Sequence, residues 1–191
     1  MFLECFIKGF FCIYIHKLSQ NTKIVVNSIM SVLNELIQFL EEGRKQKLAI
    51  FCVGNILKAD DGLGPVIAEN LTGRIDSDIL LIDVGSQPEN FVSVLKRNKV
   101  THCLLIDATN FEAEAGQIGI FEPGDLEDFQ VTFSTHFLSL NKFMDFMETE
   151  SGTKFKLLGI QPKDLAFGNP LSPEIEEAIR KTINLLLEHL K

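Results

Sequence analysis

The sequence predicts an α/β domain in which a twisted, mostly parallel mixed sheet lies between two layers of helices. Apolar runs that stop at polar residues alternate with segments of helical periodicity along most of the chain. The apolar runs are continuous, which is typical of strands buried on both faces. With 191 residues, of which 46% are hydrophobic, the chain is long enough for one large core. The expected architecture is therefore a three-layer α/β/α domain.

The N-terminal part differs from the rest. We divide the chain into an extension, residues 1–46, and a main domain, residues 47–191. The first 17 residues are very apolar but carry charges, and they fit neither a spanning helix nor a secretory signal. We favour an unused upstream start, with the native start near Met30, over an apolar tail or an interfacial membrane contact. We expect no stable membrane insertion. The periodicity of residues 31–42 predicts an amphipathic helix that packs as an accessory to the sheet.

The first strand and the loop after it organise the main domain. An apolar run over residues 48–53 stops at Gly54 and Asn55, and a loop with Asp60 and Asp61 leads into a helix over residues 63–71. Ligands of open α/β sheets bind at the carboxyl ends of the strands. We therefore expect chemistry at this loop.

Later strands repeat the pattern. Residues 79–84 form an apolar run with Asp83 near its end, and residues 103–108 form another with Asp107 in the same place. A strand over residues 117–121 follows too soon for a helical crossover, so we expect it to run antiparallel to its predecessor. The last predicted strand covers residues 155–160, with Gln161 and Pro162 directly after it.

Three further helices follow from capping signals and periodicity. Pro88 opens the second helix of the main domain. The next covers residues 136–148, with Ser134 or Thr135 as its cap. The final helix begins with Ser172 as cap and proline next, and buries one apolar stripe.

Composition excludes several functions. A net charge of -8 with only short basic runs lacks the footprint of a nucleic-acid-binding protein. Cys52 and Cys103 lie inside strands and are expected to be reduced core thiols, which favours a cytoplasmic location. Gly62 and Gly64 do not complete a dinucleotide-binding pattern, and no phosphate loop is present, which disfavours a nucleotide or flavin carrier.

The groups that can carry chemistry are Asp61, Asp107 and His136. If the first and third strands are neighbours, both carboxylates approach one centre, and His136 at a helix start can complete it. Two carboxylates and an imidazole suit a divalent transition metal, without choosing between zinc, nickel and manganese. A structural interpretation stays open: Asp60 and Asp61 can cap a helix, Asp83 and Asp107 can shape turns, and His136 can be structural.

Other catalytic groups are less attractive. The two core cysteines lie within strands, and no serine occurs in a nucleophile elbow. Asp60 and Asp61 cannot form an aspartic-protease pair, because adjacent residues do not generally converge on one water. The carboxylates are better explained as ligands.

Five stretches make the chain resemble a known family. They occur in the family's order: residues 53–55 with 60–64, residues 82–86 with 88–90, residues 105–108, residues 134–136 and residues 158–162. The sequence resembles the endopeptidases that mature nickel-iron hydrogenases by removing a C-terminal extension from the large-subunit precursor. It looks most like the subgroup that processes formate-hydrogenlyase hydrogenases.

The resemblance implies a phosphorylase/hydrolase-like fold and a nickel-recognition site. By position the nickel site falls on Asp61, Asp107 and His136, with the nickel supplied by the precursor rather than held permanently. Asp83 is a candidate for contacting the extension, and Asn55 with Gly54 is expected to shape the floor of the substrate loop. The resemblance assigns no catalytic residue.

The chain departs from the family in two places. Position 61 is Asp where some members have Glu, which shortens the reach of the acid, and Val84 stands where many members have glycine. A binding function stays open beside the enzyme: a nickel-binding chaperone or non-catalytic adaptor in hydrogenase assembly could use the same three groups.

Overall fold

The computed structural model describes the backbone of residues 22–123 and 135–191, and the side chains of residues 32–123 and 142–191. In these ranges the helices are α1 Thr22–Lys45, α2 Leu63–Leu71, α3 Val92–Asn98, α4 Thr135–Ser151 and α5 Pro173–His189. The strands are β1 Leu48–Val53, β2 Leu80–Gly85, β3 His102–Ala108, β4 Ile118–Phe121 and β5 Lys154–Ile160. Short 3-10 helices, Ala59–Gly62 and Pro88–Phe91, precede α2 and α3.

The strands form one mixed sheet in the order β2-β1-β3-β5-β4. The first three strands and β5 are parallel, and β4 runs antiparallel on the edge. The predicted direction of β4 is correct, but its partner is β5, not its predecessor β3. The reason is that β5 returns through α4 and takes the free edge of β3, which leaves only the outer edge for the short β4. The mostly parallel mixed sheet is confirmed.

Each face of the sheet is covered by helices. On one face α1, α2 and α5 pack over Ile50, Leu104 and Leu158. On the other face α3 and α4 pack over the residues that alternate with these, among them Phe51 and Leu105. Successive side chains of a strand point to opposite faces, so central strands between two helical layers must be apolar throughout. The three-layer α/β/α architecture is confirmed.

Two details of the helices differ from the sequence predictions. Helix α1 extends well beyond the predicted residues 31–42, and it contributes Leu36 and Leu40, which are fully buried, to the main core. Ser172 does occupy the N-cap of α5, but its hydroxyl donates to Asp60 rather than to the helix. Among the described residues no helix is long and apolar enough to cross a membrane. Residues 1–21, with Cys5 and Cys12, lie outside the described part, so the prediction about the start stays a prediction.

The topology places a switch point between β1 and β3, where open α/β sheets offer a crevice to ligands. From β1 the chain passes through α2 on one face to β2, and from β2 through α3 on the other face to β3. The order of strands therefore reverses between β1 and β3, and such switch points are where open α/β sheets bind ligands. Asp61 follows β1 and Asp107 lies near the end of β3, so both acids stand at this crevice.

Candidate active site

The loop after β1 is held tightly against the sheet. The backbone N–H of Gly54 donates to the carbonyl oxygen of Gly85 over 2.9 Å, and that of Asn55 donates to the carbonyl oxygen of Asp61 over 3.0 Å. Gly54 has a φ of +143°, and a Cβ atom on it would lie 1.9 Å from the carbonyl oxygen of Asp61. Only glycine fits there, because the backbone of Asp61 occupies the space of a side chain.

Asn55 shapes the turn that leads to the acids. Its Oδ1 accepts the N–H of Leu57 over 3.0 Å, while its carbonyl oxygen accepts the N–H of Lys58 over 3.0 Å. The N–H of Asp61 in turn donates to the carbonyl oxygen of Lys58 over 2.9 Å. Such side-chain to backbone bonds are typical of asparagine in turns. That Gly54 and Asn55 contact a substrate stays a prediction.

Asp60 serves as a clamp between two loops. Its carboxylate is fully buried and accepts hydrogen bonds from the backbone N–H groups of Lys163, Asp164 and Ser172, over 2.7 to 2.8 Å. The hydroxyl of Ser172 donates to it as well, over 3.0 Å. The N-cap residues of the 3-10 helix and of α2 are Lys58 and Gly62, and the carboxylate of Asp60 binds the loop before α5, so the capping interpretation is wrong for Asp60. Asp60 instead joins the loop after β1 to the loop before α5.

Asp107 is buried without a full set of hydrogen bonds. Its exposed fraction is 2%, and its Oδ2 has no hydrogen-bond partner within the described structure. Burial raises the pKa of Asp107 to about 8, the negative charge of Asp61 adds to the rise, and a backbone hydrogen bond from Ala108 opposes it. A buried polar atom left unpaired is costly in a folded protein, so this oxygen calls for an explanation.

Asp61 lies close enough to Asp107 for its charge to raise the pKa of that carboxyl. The 3-10 helix that carries Asp61 packs against β3, which carries Asp107. Asp61 is half-buried, whereas Asp107 is enclosed. Two carboxylates that lie close together repel each other, and a cation placed between them stabilises both. The condition on which the predicted site depends is met, because β1 and β3 are neighbours in the sheet.

The third predicted ligand is His136. It lies in the first turn of α4, one residue after the helix begins at Thr135, but its side chain lies outside the described residues. Among the side chains that are described, no group of three His, Cys, Asp or Glu residues could hold a metal ion. The three-residue site therefore stays a prediction, of which the structure describes the two acids.

Asp83 lies away from this pair in the sheet. It is exposed, on β2, and its Oδ1 accepts the N–H of Gly85 over 3.0 Å. That bond is typical of aspartate at a turn, and it leaves the second carboxylate oxygen available to solvent. A contact of Asp83 with the substrate's extension stays a prediction.

The cysteines are unsuited to nucleophilic catalysis. Cys52 and Cys103 are free and buried inside β1 and β3. Burial raises the pKa of both thiols, with smaller contributions from Asp83 to Cys52 and from Cys52 to Cys103. Since the thiolate is the nucleophilic form, both thiols are inert core residues, as the sequence predicts.

Gln161 is an organising residue that sequence reasoning placed only at the end of the last strand and within a family stretch, without a structural role. Its Oε1 accepts the N–H groups of Phe111 and Ala113 over 2.9 and 3.2 Å, and its Nε2 donates to Asn110 Oδ1 over 3.2 Å. Gln161 thus fixes the loop that follows Asp107. The available signal in the sequence was a glutamine directly after an apolar strand. An amide buried at such a place needs hydrogen-bond partners from a neighbouring loop.

Replacing Asp107 by Asn is expected to stabilise the protein at neutral and alkaline pH. The pKa of Asp107 is raised from 3.8 to about 8, so the folded chain holds a proton that the unfolded chain has lost. The free energy of unfolding contributed by Asp107 therefore falls as the pH rises from about 4 to about 8. Asp107→Asn should raise Tm by at least about 3 °C at pH 8.5, for a domain in which 1 kcal/mol shifts Tm by about 2–4 °C.

Thermal unfolding at pH 5 and pH 8.5 measures this effect. The gain from Asp107→Asn should be larger at pH 8.5, where the charge of the original residue is buried. Asp83→Asn serves as control, since Asp83 is exposed and an Asn side chain can still accept the N–H of Gly85. Equal Tm changes at both pH values would show that Asp107 carries no buried charge.

Comparisons with known proteins agree with this fold. Residues 65–189 match the family described as hydrogenase maturation protease. The chain is 35% identical over 131 residues to the hydrogenase 3 maturation protease of Escherichia coli K12, covering 68% of this chain and 82% of that protein. A hydrogenase maturation protease from Thermococcus kodakarensis, HycI, superposes with a TM-score of 0.69 at 27% identity, covering 79% of this chain and 97% of the other. A crystal structure of a hydrogenase 3 maturation protease superposes with a TM-score of 0.64 at 31% identity, covering 72% and 86%. The chain belongs to the hydrogenase maturation protease family, and it is an endopeptidase.

Proposed function

We propose that this endopeptidase removes a C-terminal extension from the nickel-loaded large-subunit precursor of a nickel-iron hydrogenase. In this proposal Asp61, Asp107 and His136 recognise the nickel. The observation that carries the proposal is the buried Oδ2 of Asp107, which has no partner in the described structure and stands beside Asp61. A site that accepts a cation from the substrate explains why the fold keeps this oxygen unpaired.

The donor set fits a nickel ion that arrives with the substrate. Two carboxylates and one imidazole fill only part of the coordination shell of a divalent transition metal, so positions stay open for ligands from the precursor. A neutral imidazole suits this role. The nickel is therefore treated as part of the substrate, and its presence marks a precursor that is ready for cleavage.

The chain's own residues position the scissile peptide bond. Gly54 and Asn55 shape the loop beside Asp61, and the exposed Asp83 is available to the extension. The nickel can act as a Lewis acid on the scissile carbonyl or lower the pKa of an attacking water, and the proposal leaves both routes open. The inert core thiols exclude Cys52 and Cys103 as nucleophiles. Their reduced state also fits the cytoplasm, where we propose the enzyme works.

The test is the mass of a co-expressed large-subunit precursor after incubation with this protein. Nickel-loaded precursor should lose a C-terminal peptide, and nickel-free precursor should stay intact. Cleavage of both forms at equal rates would contradict nickel recognition. Tight nickel binding by the free protein without any cleavage would favour the nickel-binding chaperone or adaptor instead.

A further inference from the structure

Two loops at the crevice expose apolar side chains that the core does not use. Ile56 and Leu57 follow β1 and are 67% and 56% exposed, and Leu165 and Phe167 follow β5 and are 39% and 74% exposed. We call these four residues the apolar platform. Clustered exposed apolar residues, unlike scattered ones, are typical of interaction sites.

Hydrogen bonds hold the two loops together. The N–H of Gly168 donates to the carbonyl oxygen of Leu57 over 2.9 Å. The N–H of Asp60 donates to the carbonyl oxygen of Asp164 over 3.1 Å. The carboxylate of Asp60 accepts the four bonds from the second loop described above. Because these bonds join both backbones, the two loops that carry the platform residues lie side by side.

The second loop, which follows β5, is also held by hydrogen bonds between its own residues and by an ion pair to α5. The carboxylate of Asp164 accepts the N–H of Ala166 over 2.8 Å and the side-chain amide of Asn169 over 2.7 Å. Lys163 forms an ion pair with Glu174 over 2.7 Å. Lys163 and Asp164 therefore have partners of their own, while Leu165 and Phe167 stay exposed. A partner that covers these exposed side chains is expected to contribute apolar groups.

The platform is continuous with the candidate active site. The loop that carries Ile56 and Leu57 reaches Asp61 within a few residues, and the carbonyl oxygen of Asp61 is bonded to the N–H of Asn55 in that loop. A protein whose metal reaches Asp61 and Asp107 therefore covers this loop. We infer that the apolar platform binds an apolar segment of the large-subunit precursor beside its metal site, an inference that rests on the proposed function.

The experiment compares the double variant Ile56→Ser/Phe167→Ser with the unmutated full chain. Cleavage of nickel-loaded precursor gives KM and kcat, and immobilised precursor gives the affinity directly. The double variant should raise KM and weaken binding by about tenfold or more with kcat little changed, because exposed contacts add uniform binding rather than transition-state stabilisation. Phe167→Met, which keeps an apolar side chain, should largely retain the original KM.

Phe146→Ser is the matched control, since Phe146 is 51% exposed but lies on α4, outside the platform. It should leave KM unchanged. Unchanged KM and affinity in the double variant would overturn the platform and leave the proposed function standing. Weaker binding by the double variant, with no cleavage even by the unmutated protein, would support the platform and overturn the protease proposal. Neither binding nor cleavage by the unmutated protein would overturn both.

Discussion

Asp61→Asn and His136→Ala are each expected to abolish cleavage of the nickel-loaded precursor. Asn keeps the shape of Asp61 but removes the charge that faces Asp107, and Ala removes the imidazole altogether. Residues that only support a metal ligand already cost about 10- to 100-fold in affinity or activity when replaced, so loss of a ligand should exceed about 100-fold. Single-turnover mass spectrometry of the precursor measures the loss.

Asp145→Asn is the control for these variants, because it removes an exposed carboxylate from α4, the helix that also carries His136. It should cleave at the rate of the unmutated protein. An Asp61→Asn variant that cleaves equally well would contradict a role for Asp61 in nickel recognition. Circular dichroism of each variant separates lost activity from lost folding.

Gly54→Ala is expected to have the largest structural effect of any single methyl group near the site. The added Cβ would lie 1.9 Å from the carbonyl oxygen of Asp61, and the φ of +143° is one that L side chains rarely adopt. The loop must move to relieve the clash, which displaces Asp61 from Asp107. We expect a loss of about 3 kcal/mol or more in the free energy of unfolding, together with loss of cleavage.

Gly73→Ala separates the clash from the backbone strain. Gly73 also has a positive φ, +72°, but a Cβ there would meet no atom within 4 Å. That variant should lose only about 1–2 kcal/mol, the usual cost of a left-handed L residue. Urea unfolding of both variants gives the comparison. If the two lose equal stability, the loop after β1 is less tightly packed than the geometry implies.

Much of the fold follows from local pattern. The bounds of β1 and α2 agree with the apolar run and the helical periodicity, because both elements are set by local signals and by burial in a three-layer core. The partner of β4 was missed, since strand pairing depends on where β5 returns, far along the chain. The full length of α1 was missed, since only residues 31–42 were assigned to it from their periodicity.

Of the candidate site, too, one part could be predicted from the sequence and another part could not. Asp61 and Asp107 could be chosen from sequence because each lies at the carboxyl end of an apolar strand, where α/β sheets place their chemistry. Asp60 stands beside Asp61 in the sequence, yet its carboxylate binds the loop before α5 and not the crevice. Sequence reasoning could not separate the two, because their neighbours in the chain are the same and their neighbours in space are not.

The sequence by itself determined the α/β class, the strands that end in acids, and the core thiols, since these depend on periodicity and on residue type at strand ends. Only the tertiary structure decided that β1 and β3 are adjacent, that Asp107 is buried with an unpaired oxygen beside Asp61, and that Asp60 clamps two loops under an apolar platform. The physical reason is that burial and electrostatic coupling arise from contacts between segments distant in the chain, and no local pattern specifies which distant segments meet.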